Sequence, residues 1–88
     1  RRLGRVADQA RSLYMLGRHS HRTSNNELAI EYLDRALELA PAGETELRLR
    51  IRIGLGVAWG YIGRHREARA HLDAADAEIA AARRPAHI

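Results

Sequence analysis

Apolar residues recur at steps of three and four along most of this chain, which is the spacing of an amphipathic α-helix. The pattern predicts a first helix over residues 3–17, with Gly17 as its C-terminal stop. A polar loop follows over residues 18–26, the longest that the pattern predicts. Ser24 and Asn25 lie at the end of this loop, and both are residue types that cap the start of a helix.

Two further stretches carry the same helical spacing. One runs from about Asn26 to Ala40, where Pro41 breaks the pattern. The other runs from about Arg66 to Ala82 and stops before Pro85. Each stretch keeps aliphatic residues on one face, so each predicts a helix that packs through one side.

The segment Leu47–Val57, LRLRIRIGLGV, is ambiguous because apolar residues alternate in it with arginine and then with glycine. Such alternation is typical of a half-buried β-strand, and a hairpin returning through VAWGYI would supply its partner strand. The same stretch also carries a helical stripe, which contains Leu47, Ile51, Leu55, Ala58 and Ile62. A helix starting near Thr45 agrees with its neighbours and is the favoured interpretation, although each of its glycines lowers helix stability by about 1 kcal/mol relative to alanine.

Composition narrows the classes of function. All 15 basic residues are arginine, the formal charge is +4, and the 88 residues include no cysteine, so disulfides and cysteine zinc sites are excluded. No apolar run approaches the roughly 18 residues needed to cross a membrane. No signal-peptide pattern follows Arg1 and Arg2, so we expect a cytoplasmic location. The Ala- and Arg-rich usage without lysine is typical of GC-rich bacterial genomes.

No constellation of residues predicts catalysis, a cofactor or a metal. Ser20 lies between two histidines, but nothing supplies an oriented base or an oxyanion hole. His19 and His21 are two residues apart, and His65 and His71 are six apart, so neither pair shares one helical face. The glycines of GLGVAWG match neither phosphate-binding motif.

Two parts of the chain resemble each other. ARSLYMLGRH aligns with GVAWGYIGRH, and ELAIEYLDRALELA aligns with EARAHLDAADAEIA. In this alignment Ala29 and Ala68 are 39 residues apart, whereas Gly17 and Gly63 are 46 apart, which implies seven extra residues in the first loop. Two such units predict a repeat architecture of four helices in two antiparallel hairpins. A non-repeat four-helix bundle would use the same apolar stripes.

The second unit, LGVAWGYIGRHREARAHLDAADAEIA, resembles the tetratricopeptide repeat. Its matching residues are Leu55, Gly56, Trp59, Gly63, Ala68, Leu72 and Ala75. The first unit matches in its second helix, at Ala29, Leu33, Ala36 and Pro41. The resemblance implies an all-α, tetratricopeptide-like fold, a fragment of a right-handed α-solenoid. One repeat would span about residues 3–41 and the other about residues 44–83, within a single domain over residues 1–88. The sequence is also similar in style to repeat arrays of large actinobacterial signalling and regulatory proteins.

That family typically holds a peptide or a helix in a concave groove lined by the first helix of each repeat. The resemblance therefore implies a protein-interaction scaffold without catalysis, whose groove residues are Arg11, Tyr14, Arg50, Ile53, Val57 and Tyr61. Arg11 and Arg50 would grip a carboxylate of the partner. The competing interpretation is that the tyrosines pack the core and that the arginines are only solvated.

The last predicted helix offers a second surface. It carries a row of alanines at helical spacing, namely Ala70, Ala74, Ala77 and Ala81. Such a row would seat another helix, either from the next repeat of a longer chain or from a second copy in a homo-oligomer. Alanine is also simply a good exposed helix former.

Nucleic-acid binding is the alternative from another class. The arginines at positions 48, 50, 52, 64, 66 and 69 would supply a basic surface, as would suit a regulatory segment of a transcriptional activator. Acidic residues are interspersed among them, which makes a nucleic-acid partner less favoured than a protein.

Overall fold

The computed structural model describes the backbone of residues 2–83 and the side chains of residues 4–83. This part of the chain contains no β-strand and consists of four helices, α1 (Arg2–Arg22), α2 (Asn26–Leu39), α3 (Thr45–Tyr61) and α4 (His65–Arg83). The prediction of an all-α fold is confirmed, and LRLRIRIGLGV is helical throughout because it lies inside α3. The predicted stop at Pro85 and the ends of the predicted domain lie outside the described residues.

Consecutive helices pack against each other. α1 lies along α2 and α3 lies along α4, and each pair is joined by a three-residue turn, residues 23–25 and 62–64. Helices that pack together across so short a turn run antiparallel, so the chain forms two helical hairpins. α2 also packs on α3, which joins the hairpins.

The hydrophobic core lies where α1, α2 and α3 meet. Its fully buried large side chains are Leu33, Ile51 and Leu55, surrounded by buried alanines from all three helices. Small side chains let helix axes approach closely, so a few large residues fill the remaining space. α4 contributes only Ala68 and Ala75 to the buried apolar set, and it covers α3 from the far side.

The expectation that α1 ends at Gly17 is wrong. α1 continues to Arg22, and the predicted loop over residues 18–26 shrinks to residues 23–25. Gly17 is buried inside the helix, and a Cβ added to it would lie 2.7 Å from Leu33 Cγ. The glycine is therefore needed for the close approach of α1 to α2, and it does not act as a helix stop.

The two hairpins repeat with one offset of 39 residues. Gly17 lies against Leu33 in the first hairpin, and Gly56 lies against Leu72 in the second, where an added Cβ would approach the leucine Cδ2 within 2.8 Å in each case. The expected insertion of seven residues is wrong, because Gly17 corresponds to Gly56 and not to Gly63. The predicted alignment was shifted by seven residues because it placed the end of α1 at Gly17.

The turns of the two hairpins obey the same offset. Ser24 has a φ of 67° and Gly63 has a φ of 84°, so both adopt the left-handed conformation that ends a helix. In each turn the next residue donates its backbone N–H to the carbonyl five residues earlier, at 2.8 Å in the first turn and 3.0 Å in the second. Asn25 then caps α2 by accepting a hydrogen bond from the backbone N–H of Leu28, as predicted for an N-cap.

Candidate functional site

A predominantly apolar cleft of about 310 Å³ lies between α1 and α3, and we call it the central cleft. α1 contributes Tyr14, Gly17, Arg18 and His21 to its lining, and α3 contributes Arg50, Ile53, Gly54 and Val57. Leu33 of α2 forms its floor. Three helices from both hairpins therefore build one concave surface.

Two glycines create the space above Leu33. A Cβ on Gly17 would lie 2.7 Å from Leu33 Cγ, and a Cβ on Gly54 would lie 3.1 Å from Leu33 Cδ1. Because both positions lack a side chain, α1 and α3 can both pack against the leucine, and the space above it stays open as the central cleft. This contact explains Gly54, one of the glycines that made the α3 sequence look like a strand.

Apart from Arg50, the α3 wall of the cleft is apolar and exposed. Ile53 and Val57 are 44% and 41% exposed, and Tyr61, one helical turn further on, is 71% exposed. A row of large apolar side chains in a concavity is the kind of surface that buries part of another protein. The tyrosine adds a hydroxyl beside apolar area, which suits an interface with one wet edge.

The structure brings together most of the residues predicted for the groove. Four of them line the central cleft, namely Tyr14, Arg50, Ile53 and Val57. Arg11 lines an adjoining cleft of about 420 Å³, the side cleft, which also includes Tyr14, Arg18 and Arg50. Tyr61 lies beyond the end of the central cleft, where its ring packs against His21 with centroids 5.0 Å apart.

The two arginines expected to grip a carboxylate already have acidic partners in this chain. Arg11 donates to Asp8 Oδ1 at 3.0 Å and to Glu44 Oε1 at 2.9 Å. Arg50 donates to Glu46 Oε2 at 2.8 Å, and this hydrogen bond raises the pKa of Arg50 above its usual value. A partner carboxylate would have to compete with these ion pairs at both positions.

Sequence reasoning missed Arg18 and His21, because it ended α1 at Gly17. The guanidinium carbon of Arg18 lies 5.8 Å from the centroid of the Tyr14 ring, a cation–π arrangement. His21 Nδ1 lies 2.6 Å from Asn26 Oδ1, so the imidazole is tied to the start of α2. The signal was present in the sequence, because positions 14, 17, 18 and 21 keep helical spacing.

The alanine row of α4 lies on the surface. Ala70, Ala77 and Ala81 are exposed, and Ala74 is half-buried. By the offset of 39 residues, the row corresponds to Glu31, Arg35 and Glu38 of α2 and to Ala42 in the turn after it, which are all exposed. The row therefore differs from the face through which α2 packs on α3, and its role as a seat for another helix stays a prediction.

A second group of polar side chains joins three helices, and we call it the Glu78 cluster. Glu78 of α4 accepts from Arg48 Nε at 3.0 Å and from Arg52 Nε at 3.2 Å. Arg48 also donates to the carbonyl oxygen of Ala40 at 3.0 Å, just after α2. Arg52 Nη1 lies 3.2 Å from His71 Nδ1. The cluster ties the end of α2 and the length of α3 to α4.

Burial and charge set the protonation states in this cluster. The hydrogen bond from Arg48 lowers the pKa of Glu78 below its ordinary value of 4.5. Burial lowers the pKa of His71 below 6.5, Arg52 lowers it further, and Asp34 opposes the shift. Burial also raises the pKa of Asp34, the acid of α2 that acts on His71. Arginine can only donate, so the contact with Arg52 requires a neutral His71 with a free Nδ1 lone pair.

The ion pairs weaken the case for a basic nucleic-acid surface. Of the six arginines that would form it, Arg48 and Arg52 are held by Glu78, and Arg50 is held by Glu46. Arg64 pairs with Glu67 at 2.9 Å. The arginines at 66 and 69 are exposed, but they lie among the acids of α4.

The described part of the chain offers neither a metal site nor a membrane span. Within residues 4–83 no three histidine or acidic side chains lie close enough to bind a metal ion. None of the described helices is long and apolar enough to cross a membrane.

No family model, curated protein or solved structure matches this chain.

Proposed function

We propose that this chain is a protein-interaction scaffold that binds a peptide or a helix of a partner in the central cleft. The observation that carries the proposal is the exposed apolar wall of Ile53, Val57 and Tyr61 beside a cleft with Leu33 at its floor. Burying the remaining exposed part of Ile53 and of Val57 would contribute about 1 kcal/mol each. Tyr61 and Tyr14 are of the residue type enriched at binding hot spots.

The tetratricopeptide-like repeat is part of the same proposal. The Leu-Gly pair at residues 16–17 recurs at residues 55–56, and the turn at Ser24 recurs at Gly63. Together with the alanines that follow each turn, these features agree with the sequence pattern of that family. The cleft lies between the first helices of the two hairpins, where the family pattern places the groove.

A peptide selection tests the proposed function. Short random peptides displayed on phage are selected against the folded chain, and the selected peptides are measured by fluorescence anisotropy. Ile53→Asp puts a carboxylate into the apolar wall, so we expect affinity to fall by about tenfold or more. Leu16→Asp is the matched control, because Leu16 is 45% exposed on α1 and lines neither the central nor the side cleft.

The variants must remain helical by far-UV circular dichroism for the comparison to count. Weakened binding by Ile53→Asp together with near wild-type binding by Leu16→Asp would support the central cleft. Equal binding by Ile53→Asp and the wild type would contradict it, and so would a selection that enriches no peptide.

A further inference from the structure

We propose that the partner segment is acidic, with an Asp or Glu side chain next to the apolar residue that enters the central cleft. This inference rests on the proposed function and adds the charge of the ligand. The residue that carries it is Arg18, which lines both the central cleft and the side cleft.

Arg18 differs from the other two cleft arginines in its partners. Arg11 and Arg50 each bind carboxylates of this chain. Among the side chains that the structure describes, no carboxylate forms an ion pair with Arg18. Its guanidinium instead lies over the Tyr14 ring. The cleft therefore contains one cation whose hydrogen-bond donors have no anionic acceptor.

The position over Tyr14 prepares Arg18 for a carboxylate. A cation–π contact leaves the N–H donors of the guanidinium available, and their fork matches the two oxygens of a carboxylate. The contact with Tyr14 also limits the conformations of the long side chain before binding, so less entropy is lost when the ligand arrives.

The surrounding charge favours the same ligand. Residues 9–26 contain three arginines and two histidines but no Asp or Glu. This stretch covers most of α1, including the last turn, where His19, His21 and Arg22 lie. Glu44 and Glu46, which line the side cleft, are already paired with Arg11 and Arg50. An acidic segment would therefore meet a positive α1 wall, whereas a basic segment would meet Arg18 without a compensating acid in residues 9–26.

The geometry sets the order of groups along the ligand. Arg18 and Leu33 both line the central cleft, so a side chain that rests on the Leu33 floor has its neighbours beside Arg18. A single aliphatic or aromatic residue flanked by an acid satisfies both contacts. Apolar burial then supplies most of the affinity, and the ion pair selects which apolar segments bind.

The experiment uses the same phage library, in which each peptide is fused at its C-terminus, so that every ligand carboxylate comes from a side chain. We expect wild-type selections to enrich Asp or Glu beside Leu, Ile, Met or Phe. Arg18→Glu is expected to weaken the selected peptides about tenfold or more, and Arg18→Gln by less. Arg5→Glu is the matched control, since Arg5 is an exposed arginine of α1 that lines neither cleft.

The outcomes separate this inference from the function on which it rests. Peptides that depend on Ile53 but lack acids, or that bind Arg18→Glu as tightly as the wild type, would overturn the acidic ligand and leave the cleft as the binding site. Peptides equally weakened by Arg5→Glu would show a general charge effect, which also overturns the role of Arg18. Loss of affinity confined to the Arg18 variants would support it.

Discussion

Gly17→Ala tests the close packing that shapes both the fold and the cleft. The new methyl carbon would lie 2.7 Å from Leu33 Cγ and 2.8 Å from Leu33 Cδ2. Leu33 is only 2% exposed, and Gly54 of α3 confines it from the other side. Because the branch carbon Cγ as well as Cδ2 blocks the new methyl group, and the backbone oxygen of Ala29 lies 3.4 Å from it, we expect α1 to shift away from α2 to accept the alanine.

Two opposing effects set the size of the change. Alanine favours a helix by about 1 kcal/mol over glycine. Forcing a methyl group into a packed contact destabilises by about 1–3 kcal/mol and more where a backbone must move. We expect the second effect to win by about 1–2 kcal/mol, which lowers the melting temperature by about 5–15 °C in a domain of this size.

Two other glycines provide matched controls. Gly56→Ala places its methyl carbon 2.8 Å from Leu72 Cδ2, but Leu72 is 43% exposed and can rotate toward solvent. Its net effect should therefore be within about 1 kcal/mol of zero. Gly60→Ala meets nothing within 4 Å, so only the helix preference remains and we expect up to about 1 kcal/mol of stabilisation.

The assay is thermal and urea unfolding followed by far-UV circular dichroism. A double-mutant cycle with Leu33→Ala distinguishes a packing role of Gly17 from a role as a helix stop, because a smaller side chain at position 33 makes room for the methyl group. We expect Gly17→Ala to be less harmful in the Leu33→Ala background. Additive effects, or a Gly17→Ala protein as stable as Gly60→Ala, would refute the close approach of α1 to α2.

Three further predictions concern stability. Ser24→Gly should raise the free energy of unfolding by about 1 kcal/mol, because a left-handed φ of 67° is strained for serine. Gly63→Ala should lower the free energy of unfolding by a similar amount for the same reason. An unchanged urea midpoint in both variants would contradict the turn geometry. Burial lowers the pKa of His71 in the fold, so the unfolded chain takes up this proton before the folded chain does as the pH falls below about 6.5. The free energy of unfolding should therefore drop in that range, and His71→Gln should remove the drop in pH-dependent melting. Glu78→Ala should lower the free energy of unfolding by about 1–3 kcal/mol, because it leaves two partly buried arginines without their carboxylate. Because the fold lowers the pKa of Glu78, wild-type stability should also fall below pH 4.5, where the unfolded chain takes up this proton first. A flat stability profile below pH 4.5 would count against the cluster.

The helices were predictable because hydrophobic spacing is a local property. α2 begins at the predicted Asn26, and α3 begins at the predicted Thr45. The alternation in α3 misled only over a short window, since its apolar residues also satisfy the helical period. Four of the residues predicted for the groove line the central cleft for the same reason, because they share a face of one helix or of two helices that pack together.

The partners of individual side chains were not predictable in the same way. Glu44 lies four residues before Arg48, at the spacing of a helical ion pair, but the carboxylate partner of Arg48 in the fold is Glu78, 30 residues away. A long arginine side chain can reach a local or a distant acid with similar ease. Which acid it meets depends on how α4 lies against α3, which helical periodicity does not specify.

The sequence by itself determined that residues 2–83 are helical, that they form four helices and that each helix packs through an apolar face. Only the tertiary structure decided where α1 ends and which glycines match between the hairpins, and Arg18 borders the cleft because α1 continues past Gly17. The physical reason is the same for all three. A glycine in a helical pattern weakens the helix locally, and only the Leu33 side chain, brought against Gly17 and Gly54 by packing, shows that the missing Cβ atoms are what allow the helices to meet.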